Sequence, residues 1–506
     1  MRTKYVDLNR LLMIANLVMT ALLISAYGQV LNNDYIDQNS VVLAVVLAVQ
    51  THFALLIERR RRDPFVILLA IEMILYYELR IYTLTLAPYS FVFDRFRYTT
   101  SDSNHALIFI IIANLYLYAG LFAVRMKDLP TISASGWRPA APTGVIVLML
   151  AAIAFAYLSQ DYGSQVPRVF DFLVLFLSSD NILLMVLLYY FMFRQTLSRR
   201  VGFIIALLIV AEMVMHTLIG TRSAIVGFIQ NCLLVVLALA GCVRFSRRQV
   251  LLGVGSLPLL VVALVFSFAI STYNRAAKEE GSTLDVRTGF QLVQEYGAQA
   301  GPQASLEFVL PAIFARVGFF DFSAEVIAHR EQYASVINPY AYYKSIVDNL
   351  LTPGFDIYDQ PKTSNALQFL YRNIGAPSKE ALGENTYQSD QLGIYGEFYD
   401  LFGYLSLPLL FLVAYGIKAL YVRLQYPKPY VLAMKRVITL FLFTSLLRSY
   451  GIDWIIVEFV PLVVTMYMYA LFFAGRPIVT PADATAARAL ASASGSAGAP
   501  APTVSR

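Results

Sequence analysis

Residues 383–408 read GENTYQSDQLGIYGEFYDLFGYLSLP, and here polar, aromatic and carboxylate-bearing residues run without a break into an apolar stretch. This is the end of the one long segment, residues 273–400, that lacks the sustained hydropathy of its surroundings. On both sides of it lie apolar runs and short basic loops. Chemistry carried by such a chain is expected where Glu397 and Asp400 enter the apolar phase.

The composition agrees with a chain of membrane helices. Of 506 residues, 58% are hydrophobic and 14% charged, and the mean hydropathy is +0.61. A soluble domain of this size could not cover its core with so little polar surface. Apolar runs near the roughly 20 residues that cross a bilayer fall at 8–31, 40–57, 64–86, 104–124, 143–160, 170–193, 201–219, 223–243, 249–272, 401–422, 431–449 and 454–474. The fold class expected is an all-α polytopic membrane protein of about 12 transmembrane helices with a large periplasmic loop containing short helices.

The basic residues set an orientation. They gather near the N-terminus (Arg2, Lys4, Arg10), at 59–62, 125–138, 194–200, 244–248, 418–436 and beyond 476, in alternate connections. Positive loops face the cytoplasm, so both termini are expected inside and residues 273–400 outside. The net charge of +6 is thereby an orientation signal, not a nucleic-acid footprint. The organisation that follows is 1–272 with nine spans, 273–400 as a periplasmic loop domain, 401–476 with three spans, and 477–506 as a disordered cytoplasmic tail rich in Ala, Ser, Pro and Gly. Within the loop, residues 306–328 are expected to lie on the outer leaflet, Asn338-Pro339 and Thr352-Pro353-Gly354 to form turns, and residues 365–374 to form a short helix. Cys232 and Cys242 sit ten positions apart on one expected helix, about 15 Å along its axis at ~1.5 Å per residue, beyond disulfide reach.

Charged groups near membrane depth are expensive and therefore candidates for function. Arg80, Arg222 and Arg448 end or follow expected spans on the outer side, and Arg316 belongs to the loop. Guanidinium forks from distant positions suit a pyrophosphate, because they bind its oxygens in pairs and stay charged; snorkelling to headgroups is the plainer reading of any one of them. Asp321, Glu325 and His329 recur every four residues and share a helical face, which reads first as a solvated face paired with Arg330. Glu212 with His216, and Glu72 and Glu78, read as interhelical hydrogen bonds inside the bundle. The chain has no Asp-x-Asp pair, so no metal and no cofactor are called, and arginines are assigned to any diphosphate. Tyr333, Tyr340, Tyr342, Tyr343, Tyr358, Tyr371, Tyr387, Tyr395 and Tyr399 load the loop with rings that suit sugar faces and the membrane interface equally.

At GEFYDLFGYLSLP the chain resembles the Wzy-type polymerases of bacterial O-antigen and exopolysaccharide repeat units, through Glu397, Phe398, Tyr399, Phe402 and Gly403 leading into a late span. Gly220-Thr221-Arg222, the segment ARVGFFDF around Arg316, and Arg372 followed eleven positions later by Gly383 are similar too. The resemblance implies a GT-C-like fold in the bacterial inner membrane with its active site facing the periplasm. It also implies undecaprenyl-pyrophosphate-linked oligosaccharide substrates, contact with membrane lipids, and a chain-length regulator and a flippase as partners, with no nucleic acid. Under it Glu397 is the first choice of catalytic base and Asp321 the second. Arg222, Arg316, Arg448, Arg80 and Arg372 are the pyrophosphate ligands, and Tyr399, Tyr395, Asp400, Glu325 and His329 contact substrate. The rivals are an O-antigen-type ligase, which uses a periplasmic His, and a lipid-linked oligosaccharide transporter with Glu72, Glu78, Glu212 and His216 along its route.

Overall fold

The computed structural model describes residues 5–30, 34–61, 63–86, 97–126, 132, 137–161, 179–218, 224–240, 244–246, 248–252, 255, 318–336, 338–351, 357–358, 393–448 and 452–477. The expected span at 249–272, the turn at 352–354, the helix at 365–374 and the tail beyond 477 lie wholly or mainly outside these residues. The described chain is mostly helical. In order it forms α1 (Leu8–Ala26), α2 (Gln38–Arg61), α3 (Pro64–Glu72), a π-helical turn (Met73–Glu78), α4 (Leu79–Leu86), α5 (Thr100–Ala123), α6 (Pro142–Asp161), α7 (Ser179–Phe193), α8 (Arg199–Leu218) and α9 (Ala224–Ala240). After the loop region come α10 (Phe319–Ala328), α11 (Arg330–Val336), α12 (Pro339–Ile346), a second π turn (Val347–Leu351), α13 (Gly393–Phe402), α14 (Ser406–Arg423), α15 (Pro429–Arg448) and α16 (Ile452–Phe473). Among the described residues, five helical stretches are long and apolar enough to cross a membrane: Leu8–Gln29, Gln38–Arg59, Thr100–Ala123, Gly393–Arg423 and Pro429–Arg448.

Local chemistry starts several of these helices. Asp63 caps α3 by accepting from the Phe65 N–H at 3.1 Å, with Pro64 at the first helical position. Thr99 and Asp102 form a capping box at α5, where the Thr99 N–H donates to Asp102 at 2.8 Å. Asn338 accepts from the N–H groups of Tyr340 and Ala341 at 3.1 and 3.0 Å. Asn338-Pro339 is therefore a helix start and not the turn its sequence suggested.

Four short strands gather one end of the bundle. Tyr5–Asp7 (β1) pairs antiparallel with Arg244–Ser246 (β3), and Trp137–Arg138 (β2) with Arg476–Pro477 (β4). The Ile132 N–H donates to the Leu239 carbonyl at 3.0 Å, at the C-terminal end of α9. This is the end that the charge alternation assigns to the cytoplasm. At the opposite end the Ser40 hydroxyl donates to Asn104 at 2.7 Å, and Asn104 in turn donates to Asp37 at 3.1 Å.

The tightest helix crossing joins α5 and α14. A Cβ at Gly120 would overlap the Phe411 carbonyl oxygen and stand 3.1 Å from the Ala414 Cβ. Small residues let helix backbones approach where lipid gives no hydrophobic drive to association. Gly120→Ala is expected to destabilise the protein by about 1–3 kcal/mol, the usual penalty of overpacking, read as a lowered unfolding midpoint in detergent.

One expectation about the loop is corrected. Residues 319–328 do not lie on a leaflet surface: Phe319 to Ile327 are all buried, and α10 packs against α13 and α5. The reason is that Asp321 and Glu325 find partners inside the protein, described below. At the end of the expected loop domain the chain is helical and buried from Gly393 to Asp400.

Candidate functional site

Helix α13 carries the stretch with which the sequence reading began, and it packs against α10, α11, α14 and α15. Its residues Gly393 to Asp400 are all buried, between α10 on one side and α15 on another. At its C-terminus the chain turns through Gly403 at φ +56°. A Cβ there would stand 3.3 Å from the Arg330 guanidinium carbon, so both backbone sign and space favour glycine. Arg330 Nε donates to the carbonyls of Tyr399 and Asp400 at 3.0 and 3.1 Å, satisfying two oxygens that the helix end leaves without partners.

Glu397 is fully buried. Its Oε1 accepts from the Tyr342 hydroxyl at 2.6 Å and from the Ile452 N–H at 2.5 Å, while Oε2 is buried and accepts no hydrogen bond among the described residues. Burial, and then the Glu397 carboxylate beside it, push the Tyr342 phenol well above its usual range, so it remains a donor at neutral pH. One turn on, Asp400 is 2% exposed and both its oxygens are unpartnered among the described residues. Three carboxylate oxygens at depth without a donor are unusual, since buried charges are ordinarily paired. Such atoms are available to a proton, a cation or the hydroxyls of a ligand.

The arginines described here are engaged by acids or carbonyls. Arg448 at the end of α15 donates from Nε and Nη2 to Glu72 Oε1, both at 3.0 Å, and from Nη1 to Gln230. Its guanidinium lies 5.3 Å from the Tyr76 ring centroid, and Tyr76 stacks on Phe319 at 4.2 Å. The π turn at 73–78 places Glu72 and Tyr76 together here, a use such turns often have at functional sites. Arg80 is buried with Asp321, Nε to Oδ2 at 2.6 Å, and the Tyr98 hydroxyl donates to Asp321 Oδ1 at 2.7 Å. Arg330 has no carboxylate within ion-pair distance among the described residues.

Asp321 and Glu325 are thus not solvated, His329 is only part-buried, and Arg330 is not the partner of this face. Glu325 Oε2 accepts the N–H groups of Arg97 and Tyr98 at 2.8 and 3.0 Å, and Oε1 lies 3.6 Å from Arg97 Nε and 3.4 Å from His329 Nδ1. It acts as a strut between residues 97–98 and α10. Tyr395 and Tyr399 are buried as well: the Tyr395 hydroxyl donates to Asn114 at 3.1 Å, and Tyr399 packs edge-on to Phe109 at 4.7 Å. Arg222, Arg316 and Arg372 lie outside the described residues, as does the side chain of His216. Glu78 accepts from Asn16 at 3.1 Å, the interhelical bond expected of it.

The site therefore joins Glu397 and Asp400 from α13, Tyr342 from α12 and the Ile452 amide from α16. Arg448 ends α15 four residues before Ile452 in the chain, and its guanidinium is held by Glu72 and Gln230. The sequence reading missed Tyr342 as a partner of Glu397, the Ile452 N–H, Gln230 and the position of Arg330. Reading Asn338-Pro339 as a helix start would have aligned Tyr342 and Ser345 on one face; the others carry no local signal. Among the described residues no group of three or more His, Cys, Asp or Glu is arranged to hold a metal ion. Compared with family models, curated proteins and solved structures, the chain matches none, and its functional reading rests on these residues and their geometry.

Proposed function

We propose that the chain is a membrane glycosyltransferase that polymerises undecaprenyl-pyrophosphate-linked oligosaccharide repeat units at the periplasmic face of the bacterial inner membrane. The observation that carries this reading is Glu397, with one oxygen fixed by two donors and the other unpartnered and buried. An acceptor hydroxyl placed against Oε2 would lose its proton to that oxygen as its own oxygen attacks the anomeric carbon of the donor. The bond from that carbon to the pyrophosphate oxygen breaks, and its electron pair leaves with the pyrophosphate. Neutralised pyrophosphate is a competent leaving group, so one base suffices. Arg448 beside Glu72, and Arg222 and Arg316 by sequence, are the cations assigned to the developing charge. About twelve spans in a GT-C-like arrangement, both termini cytoplasmic, complete the proposal.

Purified protein incubated with one synthetic undecaprenyl-pyrophosphate-linked repeat unit is expected to give a ladder of products spaced by one unit. A single transfer onto a different acceptor would make it a ligase instead. Passage of the lipid-linked sugar across the bilayer without any new glycosidic bond would replace enzyme by transporter.

A further inference from the structure

The helix that brings Tyr342 to Glu397 has a second face. α12 turns Tyr342 and Ser345 inward, where Ser345 donates to Asp453 at 2.6 Å. It turns Tyr340 and Tyr343 outward, 61% and 53% exposed. The exposed rings stack with centroids 6.4 Å apart and planes 14° from parallel, and Tyr358 joins Tyr343 at 6.1 Å. Tyr358 is held in place because Asp348 accepts the N–H groups of Ile357 and Tyr358 at 2.9 and 3.1 Å. Lys344 Nζ stands 4.3 Å from the Tyr340 centroid and 5.8 Å from that of Tyr358.

Tyrosines that anchor a protein at the membrane interface place their rings at headgroup level. Here three rings and an ammonium from two chain segments converge on one surface, and a dedicated carboxylate fixes the second segment. A convergent aromatic surface edged by hydroxyls and a cation matches a ligand that offers flat C–H faces and hydroxyls by turns, which is the chemistry of linked pyranose rings. We infer that Tyr340, Tyr343, Tyr358 and Lys344 form a secondary saccharide subsite that holds a glycan chain behind the Glu397 site. This rests on the glycosyltransferase reading above. The subsite keeps the chain near α12, so that one end of it stays close to the carboxylates between additions, and its ammonium favours uronate-bearing chains over neutral ones.

The test uses the full chain in lipid nanodiscs, with Tyr343→Trp as a reporter and no donor lipid present. The probes are lipid-free hexagalacturonate and maltohexaose. Aqueous iodide is expected to quench the new indole, a hexasaccharide to shield it saturably, and the uronate probe to bind more tightly. Adding Tyr340→Ala should weaken binding about tenfold, and Lys344→Met should remove the preference for uronate. Quenching by lipids brominated in their acyl chains, with no response to either hexasaccharide, would overturn the inference and make these rings a membrane anchor. Because the measurement needs no glycosyl transfer, it succeeds or fails independently of the ladder assay. In that assay Tyr340→Ala/Tyr343→Ala should shorten the products while leaving the rate of the first addition within twofold. Unchanged product lengths would count against the subsite.

Discussion

Glu397→Gln is expected to abolish chain extension, lowering kcat by about 10²- to 10⁴-fold, the range of a lost general base, with the fold intact. The amide keeps the size of the side chain. Its carbonyl oxygen can still accept from the Tyr342 hydroxyl and the Ile452 N–H, the two donors that fix Oε1 at 2.6 and 2.5 Å. What is lost is the Glu397 oxygen able to take a proton. The unfolding midpoint should therefore stay near that of the parent, and KM should change little, because the interaction removed is one made in the transition state. Asp400→Asn is the companion measurement, since Asp400 carries the other two unpartnered oxygens. Full polymerisation by Glu397→Gln with loss in Asp400→Asn would move the base one turn along α13. Retention in both would remove α13 from the chemistry.

The arrangement around α13 explains which features the sequence could disclose. Runs of about 20 apolar residues announce helices because bilayer thickness sets their length, and every expected run contains described helical residues, 249–272 only over 249–252 and at 255. The π turn at Met73–Glu78 leaves no such mark, since it changes the angular position of Glu72 and Tyr76 without altering composition. Nor do the acid–arginine pairs. Arg80 and Asp321 are 241 positions apart, and Arg448 and Glu72 are 376 apart, so no spacing rule reaches them. The sequence reading treated Asp321 and Glu325 as solvated because their helical spacing is regular. Regular spacing is equally consistent with a face turned inward onto partners supplied by residues 97–98 and α4, and only the tertiary contacts separate the two. Lys418 shows the same limit from the other side: counted as an orientation charge, it is fully buried in the bundle.

That burial gives the largest stability effect expected of a single substitution here. Lys418 on α14 donates to Asp63 Oδ2 and to the Leu121 carbonyl, and both ionic side chains have no exposure. Three elements meet at this point: α14, the end of α5 and the N-cap of α3. Two charges withdrawn from water together contribute little net stability, because their attraction mainly offsets their desolvation. Removing only one is different, since the other is left buried and uncompensated. Lys418→Met is expected to lower the unfolding free energy by about 3–5 kcal/mol. Asp63→Asn in the same chain should recover most of that loss: the amide removes the orphaned charge, and asparagine caps helices as well as aspartate does, so its oxygen can still accept from the Phe65 N–H. The measurement is a double-mutant cycle on reversible unfolding in bicelles, in which a large positive coupling marks a pair that acts as a unit. A loss below about 1 kcal/mol in Lys418→Met, typical of an exposed pair, would mean that water reaches the pair. The basic residues at 418–436 would then belong entirely to the orientation signal from which the sequence reading drew them.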